Sequence, residues 1–235
     1  MNESNLNIEY NEQVAEVTVL KMSHNSMINY NYLIVDPLSR KAVIVDPAWE
    51  MGKVDQALID ANATLSGILL THAHGDHIHL AKPLAAKYQC PIWMSHQEIA
   101  ASGFNDSYLV SIDETPIIVG QMTIKPILTP GHTAGCMCYM VDDNIFTGDV
   151  LFAEGCGMCP DVKSSHEMFD SLSQLKSMLK PYTHIYPGHS YGYAPGQIFS
   201  EVLKINIYLQ FLDKDSFTAF RLRLRQNRAS MFKFS

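Results

Sequence analysis

Apolar positions along this chain fall into short runs of two kinds. The segments 14–20 (VAEVTVL), 31–35 (NYLIV) and 41–46 (KAVIVD) are rich in β-branched residues, and the turn-like DPLSR separates the last two; they predict consecutive strands. Residues 50–62 switch to helical spacing, with Met51, Val54, Leu58 and Ile59 on one face. The continuous apolar run 65–71 predicts a strand covered on both faces. A helix over 77–88 and a strand over 91–95 follow, then a loop-rich patch at 102–115. Strands return at 116–119, 122–128, 136–141 and 144–148. Residues 164–180 predict a helix, opened by a capping box of Ser164 and Glu167 and striped by Met168, Leu172, Leu175 and Leu179. Segment 183–189 reads as a strand running into a loop, and the chain from about Pro195 reads as mostly helical. No tandem repeat, low-complexity segment or linker interrupts this order. The expectation is one α/β domain over 1–235, with two sheet halves covered by helices and a helical, basic tail over about 195–235.

Composition narrows the class. A chain of 235 residues builds one sizeable core or at most two small ones. With 47% apolar and 17% charged residues it has an ordinary globular make-up. No apolar run approaches the ~20 residues that a bilayer requires, so no membrane association is expected. The polar, acidic start MNESNLNIEYNEQ fits neither a secretory signal nor a transit peptide, and a cytoplasmic location is expected. Five cysteines, an odd number without scaffold-like spacing, read as reduced thiols. The net charge of −7 argues against general nucleic-acid binding. That charge is uneven: residues 214–235 carry +5, so the remaining chain carries −12. A basic tail on an acidic body is either a docking surface for an anionic partner or the solvated face of a helix.

Candidate chemistry lies at the ends of the predicted strands. LLTHAHGDHIHL places His72, His74, Asp76, His77 and His79 directly after the strand 65–71. Downstream, His132 follows the strand 122–128, Asp149 ends the strand 144–148, and His189 ends the strand 183–189. A glycine stands immediately before each of these three, where it permits a tight turn and close backbone approach. Loops at strand ends are where a rigid sheet positions reactive groups. Neutral imidazole and carboxylate suit Zn²⁺, and also Fe and Mn. The seven groups His72, His74, Asp76, His77, His132, Asp149 and His189 are too many for one tetrahedral ion and suit two ions sharing a carboxylate. Such a pair lowers the pKa of water to neutrality. His24, His96, His166 and His184 read as ordinary surface or hydrogen-bonded histidines, and His79 as a candidate support beside the cluster. Cys136-x-Cys138 and Cys156-x-x-Cys159 have the spacing of a second zinc site, but buried small apolar thiols are the preferred reading.

THAHGDH, PGHTAG, FTGD and YPGH, in this order and spacing, resemble the signature of the metallo-β-lactamase fold. The resemblance implies an αββα sandwich of two mixed sheets flanked by helices, with metals at one edge. It implies a first metal on His72, His74 and His132, a second on Asp76, His77 and His189, and Asp149 bridging both, with Asp76 and Asp149 orienting the attacking water. GDVLFAEGCG after Asp149 is similar to the glyoxalase II group, which hydrolyses glutathione thioesters. The match departs where that group holds substrate: Met158 stands in place of a basic residue, Ser190 in place of glutamate and Cys136 in place of histidine.

The run from GDVLF to FDSL, with NIYLQF and the Arg-rich tail, is similar to the zinc-dependent hydrolases of bacillaene-type trans-acyltransferase polyketide clusters. That resemblance implies a two-zinc thioesterase acting on acyl groups held on the phosphopantetheine of an acyl carrier protein. Arg221, Arg223, Arg225, Arg228 and Lys233 would then steer an acidic carrier. Two alternatives stay open: a hydroxyacylglutathione hydrolase acting on small thioesters, and a persulfide dioxygenase with a single iron.

Overall fold

From Asn29 to Val35 every residue of the second strand is buried, because this strand lies between a helical layer and another sheet. Leu33 and Val35 face helices, whereas Tyr32 and Ile34 face the opposite sheet, as the period of two dictates. The computed structural model describes residues 14–223. Its first half runs β1 (Glu16–His24), β2 (Met27–Val35), β3 (Lys41–Val45), α1 (Met51–Asp60), β4 (Thr64–Leu69), α2 (Gly75–Ile78), α3 (Ala81–Tyr88), β5 (Ile92–Ser95), α4 (His96–Ser102) and β6 (Leu109–Ile112). The second half runs β7 (Ile117–Val119), β8 (Met122–Leu128), β9 (Met137–Val141), β10 (Asn144–Gly148), α5 (Val162–Met178), β11 (His184–Pro187), β12 (Gln197–Ile198), α6 (Phe199–Ile205), a 3₁₀ turn (Ile207–Gln210) and α7 (Lys214–Arg221).

Each half forms one six-stranded sheet, in the orders β1-β2-β3-β4-β5-β6 and β12-β11-β10-β9-β8-β7. Both sheets are mixed: β3 through β6 pair in parallel, as do β10 and β11, and the remaining pairs are antiparallel. Between the sheets, Tyr32, Ile34 and Val43 pack with Tyr139, Val141 and Phe146. Outside the first sheet, Ile44 and Ile68 meet Val54, Leu58 and Leu84 of the helices. Outside the second, Cys138 and Ile145 meet Met168, Leu172, Phe199 and Phe217. Helix, sheet, sheet and helix thus enclose three apolar layers, which is the expected sandwich.

Local departures from expectation have identifiable causes. The expected helix over 77–88 is two helices, because the Leu80 N–H bonds across to the Pro47 carbonyl (2.9 Å) instead of back along its own turn. The capping box of Ser164 and Glu167 is not formed. Asp161 caps α5 instead, accepting from the Ser164 N–H and hydroxyl (2.8 Å each), while Glu167 lies near Lys163. The loop-rich patch contains β6, a short, half-exposed edge strand with too few residues to show its period. The expected helical tail begins with strand β12 before α6 and α7, and residues beyond 223 lie outside the described ones. Among the described residues no helix is long and apolar enough to cross a membrane.

Phe146 is fully buried between the sheets, with its ring 5.1 Å from Tyr186 and 5.3 Å from Tyr32. Phe146→Ala is expected to lower unfolding stability by about 3–5 kcal/mol in urea titrations. Ile118→Ala, at an exposed position of the same sheet, should change it by less than ~0.5 kcal/mol. Equal effects would contradict this placement of the core.

Candidate metal centre

The ends of β4, β8, β10 and β11 bring their following loops to one edge of the sandwich. Inter-sheet hydrogen bonds hold that edge: Met137 N–H to the Thr71 carbonyl (2.9 Å), Tyr30 N–H to the Gly188 carbonyl (2.9 Å), and the Tyr32 hydroxyl to the Pro187 carbonyl. Two of the glycines are required by close approach. Gly148 has φ +48°, and a Cβ there would lie 2.3 Å from Thr71 Oγ1. A Cβ on Gly188 would lie 2.6 Å from the His77 ring and 2.7 Å from Asp149 Oδ1.

All seven side chains singled out in the sequence meet here, in two groups. His72 Nε2 and His132 Nε2 each lie 3.0 Å from His74 Nδ1, so three ring nitrogens converge. Asp76 Oδ2 lies 3.3 Å from His189 Nε2 and 3.6 Å from His77 Nε2. Asp149 stands between the groups: its Oδ2 is 3.7 Å from His132 Nε2 and 3.6 Å from His189 Nε2, and its Oδ1 is 3.5 Å from His77 Nε2. The far nitrogens are occupied elsewhere. His132 Nδ1–H donates to the Met158 carbonyl (2.8 Å) and His189 Nδ1–H to the Ile28 carbonyl (2.8 Å). His72 Nδ1–H donates to Thr71 Oγ1 (3.0 Å), whose own proton goes to Asp46 Oδ2 (2.6 Å). These bonds set the tautomers and leave lone pairs aimed inward. His77 Nε2 and Asp149 Oδ1 are buried and have no hydrogen-bond partner among the described residues. Converging nitrogen lone pairs beside orphaned buried acceptors fit a cation, and neutral-imidazole and carboxylate donors fit zinc.

Electrostatics divide the site. Burial holds His72 and His74 below the ordinary histidine range, with neighbouring imidazoles adding to the effect, so they present the neutral form that binds metal. Burial also opposes a charge on His77, yet the carboxylates of Asp149, Asp46 and Asp76 outweigh it and push the group up to about 10. His189 is raised in the same way by Asp149 and Asp76. Asp76 and Asp149 are held low against burial by the surrounding histidines. The paired carboxylates therefore favour positive charge beside them, as a bound cation would supply.

Sequence reasoning missed the groups that hold this arrangement. Asp46, at the end of β3, accepts from the Thr71 N–H (2.7 Å), the Thr71 hydroxyl and His77 Nδ1–H (2.9 Å). Asp46, His72 and His77 also lie close enough to form a third cluster. Its carboxylate is already engaged on the outer side of the His77 ring, so it supports the ring instead of facing the cleft. Glu98, buried on α4, accepts from the Ala73 N–H (2.9 Å), the Thr133 hydroxyl (2.6 Å) and the Gly135 N–H (3.0 Å). It clamps the loop of His72 and His74 to the loop of His132. Asn29 donates to Asp76. An acidic residue just past an apolar strand was the available signal for Asp46. Glu98 carried no such signal; in the fold it lies in the first turn of α4, where Ser95 Oγ accepts from the Glu98 N–H (3.0 Å).

Other candidates fall outside the cluster. All five cysteines are buried and free, and burial pushes the Cys138 thiol up to about 12 and Cys159 to about 11. Protonated thiols in the apolar layer are the preferred reading of the sequence, and no metal-type cluster among the described residues includes them. His79 lies against Trp49, with ring centroids 4.8 Å apart. Arg221 is a correction: it is buried, with its guanidinium over Tyr208 and bonded to its hydroxyl (3.1 Å), so it is no surface docking charge. Arg223 is exposed on Phe220, whereas Arg225, Arg228 and Lys233 lie outside the described residues.

The family model described as the Metallo-beta-lactamase superfamily matches residues 27–189, which contain all seven candidate metal-binding side chains. The chain belongs to the metallo-β-lactamase superfamily. Within it, the chain is 43% identical over 221 residues to a Bacillus velezensis protein named probable polyketide biosynthesis zinc-dependent hydrolase BaeB, covering 93% of this chain and 97% of that one. It is 41% identical, with the same coverage, to the Bacillus subtilis protein of like description, PksB. In fold it resembles a solved metallo-beta-lactamase from Staphylococcus aureus, with a TM-score of 0.82 at 21% identity, covering 94% of this chain and 71% of that one.

Asp46→Asn is expected to weaken zinc binding by this metallo-β-lactamase fold about 10–100-fold, the usual effect of removing an outer hydrogen-bond partner. Competition against a calibrated chelator measures it, and wild-type affinity would contradict the role given to Asp46.

Proposed function

We propose that the chain is a two-zinc thioester hydrolase that removes acyl groups from the phosphopantetheine arm of an acyl carrier protein in polyketide biosynthesis. The near full-length identity to the two relatives described as zinc-dependent hydrolases of that kind carries the reading. The donor geometry supports it. His72, His74 and His132 would hold one ion, Asp76, His77 and His189 the other, and Asp149 would be shared. Ions bound there would polarise a thioester carbonyl and make water a nucleophile at neutral pH.

The remaining steps belong to the protein. Asp76 and Asp149, kept ionised by their histidines, accept hydrogen bonds from the attacking water and orient it toward the carbonyl carbon. The departing thiolate, with a pKa near ~8.5 by analogy with cysteine, needs little protonation, so no separate general acid is required. Specificity rests on the mouth of the site. Met158, which is 42% exposed and whose carbonyl anchors His132, is the residue we assign to it. A neutral thioether at this position gives a glutathione carboxylate no ion pair, a charge-assisted contact worth about 1.5–3 kcal/mol. The uncharged pantetheine arm loses nothing by its absence.

Initial rates on an acyl-phosphopantetheinyl carrier protein and on S-lactoylglutathione test this reading, each with a chelated control. Chelator-sensitive hydrolysis that favours the carrier thioester is expected, and Asp149→Ala should lower it by more than the ~100-fold typical of outer-sphere changes. Preference for the glutathione thioester would make the chain a hydroxyacylglutathione hydrolase. Hydrolysis of neither, with oxygen uptake on a persulfide, would make it a dioxygenase.

A further inference from the structure

Trp49 adopts φ +62°, the left-handed region that bulky side chains avoid. Strain of this kind persists only where surrounding contacts enforce it. Here the indole stacks on His24 at 4.5 Å and meets the tilted ring of His79 at 4.8 Å, and the Trp49 backbone N–H donates to His79 Nδ1 (3.3 Å). The indole Nε1–H donates to Asn29 Oδ1 (2.9 Å). Asn29 is buried, and its Nδ2 donates to Asp76 Oδ2 (3.1 Å) and to the Asp76 carbonyl (3.0 Å). An indole only donates and a carboxylate only accepts, so the orientation of the Asn29 amide is fixed from both ends. Asp76 Oδ2 is the same oxygen that faces His189 Nε2 and His77 Nε2.

The loop between β3 and α1 therefore reaches the second donor group twice. Asp46 at its start holds His77, and Trp49 at its end reaches Asp76 through Asn29. This loop meets the first donor group through Asp46 and Thr71, which hold His72, and not, among the described residues, through Trp49. We infer that Trp49 is a positioning residue, the outer end of a relay through Asn29 that fixes Asp76 for the second ion, and that its indole reports on that ion alone. This inference rests on the two-ion reading above and deepens it. An amide donor that shares the ligating oxygen holds the carboxylate in one rotamer while withdrawing some of its charge, so the relay sets both the geometry and the affinity of this half of the site.

The test is a Zn²⁺ titration of chelator-stripped protein against a competing chelator, following bound metal and tryptophan emission together. Wild type, Trp49→Phe and Asn29→Leu are compared. The chain has two tryptophans, so the wild-type signal lost in Trp49→Phe belongs to Trp49. Wild type is expected to show two binding steps, with the Trp49 emission changing in one of them. Asn29→Leu should weaken that same step by about 10–100-fold and leave the other unchanged, which also shows that the variant is folded. Trp49→Phe keeps an aromatic ring in the stack but removes the donor, and should weaken the same step by a smaller factor. Two steps of wild-type affinity in both variants, or a Trp49 emission indifferent to both, would overturn the relay and leave the two-ion reading standing. Fewer than two steps in wild type would overturn the two-ion reading and the relay with it.

Discussion

One buried carboxylate binds fold and site together. Asp46 ends β3 with only 2% of its surface exposed. A charge in that position is tolerated only when its oxygens are satisfied. It is satisfied by the backbone and hydroxyl of Thr71, at the end of the neighbouring parallel strand, and by the ring of His77. The adjacent strand end, the tautomer of His72 and the orientation of His77 all follow from these bonds. The edge of the first sheet cannot be assembled correctly without also assembling half of the donor set.

Glu98 serves the other half in a comparable way. Its three hydrogen bonds draw together two loops that come from different sheets, one carrying His72 and His74 and the other His132. The short distances among these three rings follow from backbone clamping, with no direct attraction between the rings required. Two buried carboxylates outside the cleft thus hold His77 and the loops of His72, His74 and His132, and Asp149 stands where the two donor groups meet. Under the two-ion reading, the donors stay available to metal because Asp46 and Glu98 meet polar requirements of the fold from outside the cleft.

The sequence made some of this legible for physical reasons. Runs such as Leu33–Val35, Ala42–Val45 and Ile68–Leu69 showed their strands because burial on both faces makes them continuously apolar. The donor residues stood out because they follow such runs, and because glycines at 131, 148 and 188 mark close backbone approach. Supporting residues carried no such mark. Asp46 stands at the end of the predicted strand 41–46, Asn29 lies just before the predicted strand 31–35, and Glu98 falls outside every predicted element. Each acts over long sequence separations, 25 residues from Asp46 to Thr71 and 47 from Asn29 to Asp76, which no local period encodes. The break between α2 and α3 was hidden for the same reason, since it depends on Pro47. Arg221 misled because a basic run near a chain end looks solvated, whereas this guanidinium is sealed against Tyr208.

The central claim is that a dinuclear centre forms at the edge where the two sheets meet. Anomalous scattering at the zinc edge, from crystals of the zinc-loaded protein, tests it most directly. Two peaks about 3.5–4 Å apart, one among His72, His74 and His132 and one among Asp76, His77 and His189, with Asp149 between them, are the predicted result. A single peak, or a peak at the buried cysteines, would contradict it.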